Sequence, residues 1–246
     1  MQEFTHAKGQ ELTATDDLLG RLTDIDGTVV TLDALHSRRE GMERIVVENN
    51  ADYLIQVKNN TPSLSQSIED AFKHKSGEIR AARSFDLEHG RLDSRKLEMI
   101  PLSPMETGWP HTNLACRVNR KRQLLRRGEV VEETSELAYY VASFPVTARE
   151  PEQVLQLVRG HWGIENELHH PKDRSMDEDR CRASESGIGR VVSCIRGFLA
   201  QLSRRTKESL GVIRCRFARK PQLLIKMLRS PGLADWERRC TPYRRA

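Results

Sequence analysis

Apolar positions along the chain alternate between a helical and a strand period, and the first stretch in which they switch is the most informative. "DDLLGRLTDIDGT" places Leu18, Leu19 and Leu22 on one helical face, and Gly27 punctuates the exit. "TVVTLDALH" follows, and its β-branched run Thr28 to Thr31 predicts a buried strand that carries Leu32 and ends at Asp33. "SRREGMERIVVENN" has the pattern of an amphipathic helix that stops at the Asn pair. "ADYLIQVKNN" then predicts a second strand from Tyr53 to Val57. Strand, helix and strand within about thirty residues make a βαβ unit, so the two strands are expected to be parallel with a right-handed crossover. Pro62 in "TPSLSQSIEDAFKH" suits the first turn of another helix.

From Ser76 to Thr147 the texture changes to short alternating stretches such as "RKLEMIPL", "LACRVNRKRQLL" and "LAYYVASF". These predict an antiparallel β region, read as an insertion. A long helix is expected from Pro151 through "PEQVLQLVRGHWGIENELHH", with further helix from Ser184 to Arg205 and again after Pro221. At 100° per residue, Val154, Val158, His161, Glu165, Leu168 and Lys172 share one stripe of the long helix, with Leu155, Trp162 and His169 beside it. A glutamate on that stripe is expected to face the sheet.

Composition narrows the class. Hydrophobic residues make up 37% and charged residues 30% of the 246, and no run of ~18 apolar residues could span a bilayer. The N-terminal stretch lacks the basic start and apolar segment of a signal peptide, which gives a cytoplasmic expectation. Five cysteines without a C-x-x-C pair fit reduced thiols better than a disulfide framework or a zinc site. Charge is unevenly distributed. Arg174 to Ala246 holds 18 Lys and Arg against 7 Asp and Glu, a net +11, whereas Met1 to Asp173 carries a net −6. A basic segment of this kind favours polyanions, although a solvated helix surface has the same composition.

The candidate chemistry centres on two carboxylates. Asp33 ends a predicted parallel strand, where open α/β sheets place their ligand crevice. Glu165 on an inward stripe needs a cation, a metal or strong hydrogen bonds to offset its burial. Two converging carboxylates suit Mg²⁺ or Mn²⁺ and phosphoryl-transfer chemistry. The plainer alternative pairs Glu165 with Arg159 or Lys172 and makes Asp33 a cap for the helix beginning near Ser37. His161, His169 and His170 are poorly spaced to share a metal.

"VRGHWGIENELH" with "DEDRCR" downstream resembles the R-x-H-W-x-I-E-N-x-L-H and E-D-x-x-R signature of the H-repeat-associated insertion-sequence transposases. The likeness extends through "GTVVTLDALHSRREGMERIVVENNADYLIQVKNNTPSL", "GWP" and "AYYVASF", and spans roughly Lys8 to Arg205. It implies a DDE enzyme with a ribonuclease H-like fold. Asp33 would be the second acid of the triad and Glu165 the third, together holding Mg²⁺ or Mn²⁺. Arg159, His161, Trp162 and Asn166 would orient Glu165 or contact DNA phosphates, and Lys58 would approach the same rim.

The family's first Asp has no counterpart before Asp33, and "LHHPKDRSM" replaces a more apolar run after Glu165. The resulting expectation is an α/β, partial ribonuclease H-like core in residues 1–75. A β-rich insertion follows in 76–147, then the Glu165 helix and its successor in 148–205, and a basic helical tail in 206–246. The implied function is a DNA transposase, truncated or split, with impaired activity. Its partners would be transposon-end DNA and either a second copy or a separate N-terminal fragment, with no membrane. The alternatives are a non-catalytic DNA-binding relic or regulator, and an unrelated metal nuclease recruiting Asp52, Asp173 or Asp177.

Overall fold

A computed structural model describes residues 11–22, 24–36, 38–58, 60–88, 90–164, 176, 187–206 and 210–228. The βαβ unit forms with parallel strands as the pattern predicts, although its first strand is half-buried and not buried. Helix α1 (Glu11–Arg21) leads through Gly27, at φ 65°, into β1 (Val29–Leu32). Helix α2 (Arg39–Glu43) follows and continues as a π-helical turn, Arg44–Glu48, before β2 (Asp52–Val57). β1 and β2 pair in parallel, Val29 opposite Asp52 and Leu32 opposite Ile55. Helix α3 (Pro62–His74) has Pro62 at its first position, where its missing N–H costs no bond.

Four longer antiparallel strands come next: β3 (Arg80–Glu88), β4 (Arg91–Pro101), β5 (Leu114–Arg126) and β6 (Glu129–Ala142), with the one-turn helix α4 (Pro104–Thr107) between β4 and β5. Arg127 and Gly128, both at positive φ, make the tight turn joining β5 to β6, a conformation that matches the twist of the flanking strands. These strands do not form a sheet of their own. β6 hydrogen-bonds to β2, Leu54 opposite Ala142, giving one six-stranded sheet in the order β1-β2-β6-β5-β4-β3. The region read as an insertion is thus continuous with the βαβ unit, because the apolar end of β6 pairs with the edge of β2 that β1 leaves free.

Alternation along the strands divides the core between two faces. On one face Tyr53, Ile55, Ile100, Ala115 and Val141 cluster with Leu19, Met42 and Ile45, and with Leu64, Ile68 and Phe72 of α3. Leu54, Leu97, Met99, Cys116, Val118 and Tyr140 are buried on the other. Helix α5 (Pro151–Ile164) buries Val154, Leu155 and Val158 and bonds residues of that second face, as described below. The far ends of the long strands leave the core, and Glu129 to Leu137 of β6 are all exposed.

The chain divides into two compact units, residues 1–161 and 162–246. In the second, the described helices are α6 (Gly187–Thr206), α7 (Leu210–Arg219) and α8 (Pro221–Leu228), close to the helical stretches expected from sequence. None of the described helices is long and apolar enough to cross a membrane.

Candidate active site

Asp33 stands one residue beyond β1, and Lys58 one residue beyond β2. Because the strands are parallel and in register, both side chains arrive at the same end of the sheet. Oδ1 of Asp33 accepts the Ala34 backbone N–H at 2.7 Å and the Lys58 ammonium at 2.9 Å. A 3-10 turn, Ala34–His36, bends the chain away, and Asn60 secures it by donating to the Ala34 carbonyl at 2.7 Å. Partial burial pushes the Asp33 carboxyl upward. The bonds from Lys58 and Ala34, with the Lys58 and His161 charges, outweigh that and hold it below the usual aspartate range. Asp33 is therefore ionised at neutral pH.

The signature helix reaches this strand. His161 Nδ1 lies 3.2 Å from the Thr31 hydroxyl, two residues before Asp33 on the same side of β1. Two residues earlier on α5, and so about 200° around the helix, Arg159 points the other way and grips Asp86 of β3 at 3.0 and 3.1 Å. Asp86 is itself held at 2.5 Å by Arg95, a nearly buried side chain on β4. The end of α5 is thus clamped from two sides by strands at opposite ends of the sheet order.

The structure therefore brings Asp33, Lys58 and His161 together and turns Arg159 to a carboxylate partner. Trp162 is half-buried. Glu165 and Asn166 lie outside the described residues, as do Asp173 and Asp177. Asp52 stands at the other end of β2 from Lys58, where its Oδ1 accepts the Ser143 hydroxyl at 2.7 Å. It is a turn anchor rather than a rim residue. Two acids that sequence reasoning missed, Glu69 of α3 and Glu136 of β6, line an open cleft with Asp33, Lys58, Asn60 and Tyr139. Glu136 is more than a hundred positions from Asp33, and no motif around it signals the proximity.

Asp33 is suited to a divalent metal as one ligand. It is ionised, and among the described residues its Oδ2 takes no hydrogen bond. No group of three His, Cys, Asp or Glu stands ready to hold a metal among the described residues. A complete set would need Glu165 or another acid.

The chain belongs to the family described as "Transposase DDE domain", whose model matches residues 1–187. Among individual proteins, the chain is 28% identical over 220 residues to "Putative transposase YncI" of Escherichia coli O157:H7, covering 87% of this chain and 55% of that one. It is 30% identical over 200 residues to "Putative protein YbfL" and 29% over 200 residues to "H repeat-associated putative transposase YhhI", both of Escherichia coli K12. Each of these covers 78% of this chain and 51% of the relative. The chain spans about half the length of the curated relatives it matches.

Proposed function

We propose that the chain is a DNA transposase of a bacterial insertion sequence, of the type that cleaves and transfers strands with Mg²⁺ or Mn²⁺, and that the 246 residues alone are impaired in that chemistry. The observation that carries the reading is the contact of His161 with Thr31, which draws the helix of the R-x-H-W-x-I-E-N signature onto the strand that ends at Asp33. Glu165 follows four residues after His161 in the sequence and would supply the second carboxylate of the rim.

When bound, divalent metal at this rim would activate the attacking oxygen and stabilise the leaving one in an in-line displacement. Asp33 and Glu165 would hold it. His161 fixes the helix against β1, and the basic residues after Arg174 would bind the DNA backbone. In this reading the 76–147 strands extend the sheet that carries the βαβ unit, and the chain works in the cytoplasm on transposon-end DNA.

Impairment follows from the ligand count. Two carboxylates hold one metal, whereas the two-metal arrangement needs more, and among the described residues no acid before Asp33 ends a strand. The purified chain is therefore expected to bind transposon-end DNA without nicking or joining it in Mg²⁺ or Mn²⁺. Robust cleavage abolished by Glu165→Gln would show that the ligand set is complete. Absence of both DNA binding and Asp33-dependent metal binding would defeat the transposase reading. One observation favours a second reading, a form that occupies DNA ends without cutting: Asp33 is already neutralised by Lys58.

A further inference from the structure

One of the two Asp33 oxygens that a metal could take is already spoken for. Oδ1 accepts both the Lys58 ammonium and the Ala34 N–H. The ammonium stands there because of the fold, since parallel pairing of Leu32 with Ile55 delivers residue 33 and residue 58 to one rim. Yet the pair is not locked: Lys58 is 53% and Asp33 42% exposed, and Asp33 is the ion-pair partner of Lys58 among the described residues. A pair so open is held weakly and can exchange.

A divalent ion bound to a carboxylate oxygen sits about 2.0–2.1 Å from it for Mg²⁺. With the ammonium 2.9 Å from Oδ1, a metal on that oxygen would lie within about 5 Å of it, and a metal on Oδ2 of the same carboxylate would still be close enough for the like charges to repel. Each therefore weakens the binding of the other. Glu69 and Glu136 line the same cleft, so a displaced ammonium would have other carboxylates near it.

We propose that Lys58 is a tethered competitor for the divalent cation at Asp33, an internal ammonium that keeps the rim in a closed, metal-poor form until it is drawn away. This rests on the transposase reading, which supplies the need for metal at Asp33. It assigns Lys58 a role opposite to that of a simple supporting residue: it restrains loading. Its long, flexible stem lets it leave the carboxylate without any change in the strands.

The test is direct Mn²⁺ binding to the full 246-residue chain, followed by electron paramagnetic resonance at low ionic strength, with circular dichroism to confirm folding of every variant. Lys58→Met is expected to bind Mn²⁺ about fivefold more tightly than the wild type, the scale of one exposed ion pair. Lys58→Gln should do the same and serves if Lys58→Met folds poorly. Lys58→Arg, which keeps the charge, should bind no more tightly than wild type, and Asp33→Asn should lose the site in either background. Asp33-dependent binding of equal strength in wild type and Lys58→Met would overturn the competition while leaving the transposase reading intact. If neither wild type nor Lys58→Met shows Asp33-dependent binding, the metal site of that reading fails and takes this inference with it.

Discussion

At the scale of single residues, the best-defined electrostatic contact lies away from the rim. Glu106 accepts the Lys75 ammonium at 2.6 Å, and the backbone N–H and hydroxyl of Ser103 at 2.8 Å each, closing a capping box on α4 while tying it to the end of α3. The Lys75 bond and then the Ser103 bonds pull its carboxyl from the ordinary 4.5 to about 2. A folded value below the unfolded one gives stability that is fully present above the unfolded value and is lost as pH falls toward the folded one. Glu106 is 40% exposed, so solvent screening limits the contribution to about 1 kcal/mol. Glu106→Gln should therefore be less stable than wild type at pH 7, with the gap shrinking between about pH 5 and pH 2. Urea melts of both proteins across that range check it, and a gap independent of pH would refute it.

Between single residues and the whole sheet, α5 is the element on which the proposed chemistry turns. Its apolar stripe was legible because Val154, Leu155 and Val158 recur at helical spacing, and all three are buried. The same 3.6-residue logic anticipated that His161 faces inward, and it does reach β1. The βαβ unit and the position of Asp33 were legible for a similar reason, since a β-branched run followed by a polar residue marks a strand end. Periodicity carries no information about strands far apart in sequence. It could not show that β6 pairs with β2, that Glu136 reaches the Asp33 cleft, or that Arg159 meets Asp86, seventy-three positions away. Those facts depend on register between distant segments. The Arg159 contact has a consequence for α5. Arg159→Gln removes one side of the clamp, and the pair's 40% and 35% exposure keeps the cost in global stability below about 1 kcal/mol. The expected result is faster amide hydrogen exchange confined to the last turn of the helix, with a melting temperature nearly that of wild type. Unchanged exchange in that turn would mean that His161 and the buried stripe hold α5 unaided.

For the molecule as a whole, charge and sheet edges govern what it meets. The net +11 from Arg174 onward predicts DNA binding that falls steeply between about 50 and about 200 mM salt and shows little sequence preference. Loss of residues 184–246 should remove most of it, and undiminished binding by that shortened chain would place the interface elsewhere. The second consequence concerns β1, an outer strand of the sheet among the described residues. Its four residues, Val29, Val30, Thr31 and Leu32, are all only half-buried, and the strand carries no Lys, Arg or Pro. The opposite edge, β3, differs: Arg80, Arg83, Asp86 and Glu88 interrupt it with charge. Unpaired N–H and C=O groups beside apolar side chains form a template for another strand, and natural edges are usually guarded against this by Lys, Pro or a bulge. The chain is therefore expected to self-associate through β1 at micromolar concentrations. Light scattering should detect species larger than 28.2 kDa in wild type. Val29→Lys should shift them toward monomer, because a charge at the start of the edge disfavours pairing with a second copy while leaving Val30 and Leu32 against the core. A monodisperse, cooperatively melting wild-type monomer would show that this edge is covered by some other means.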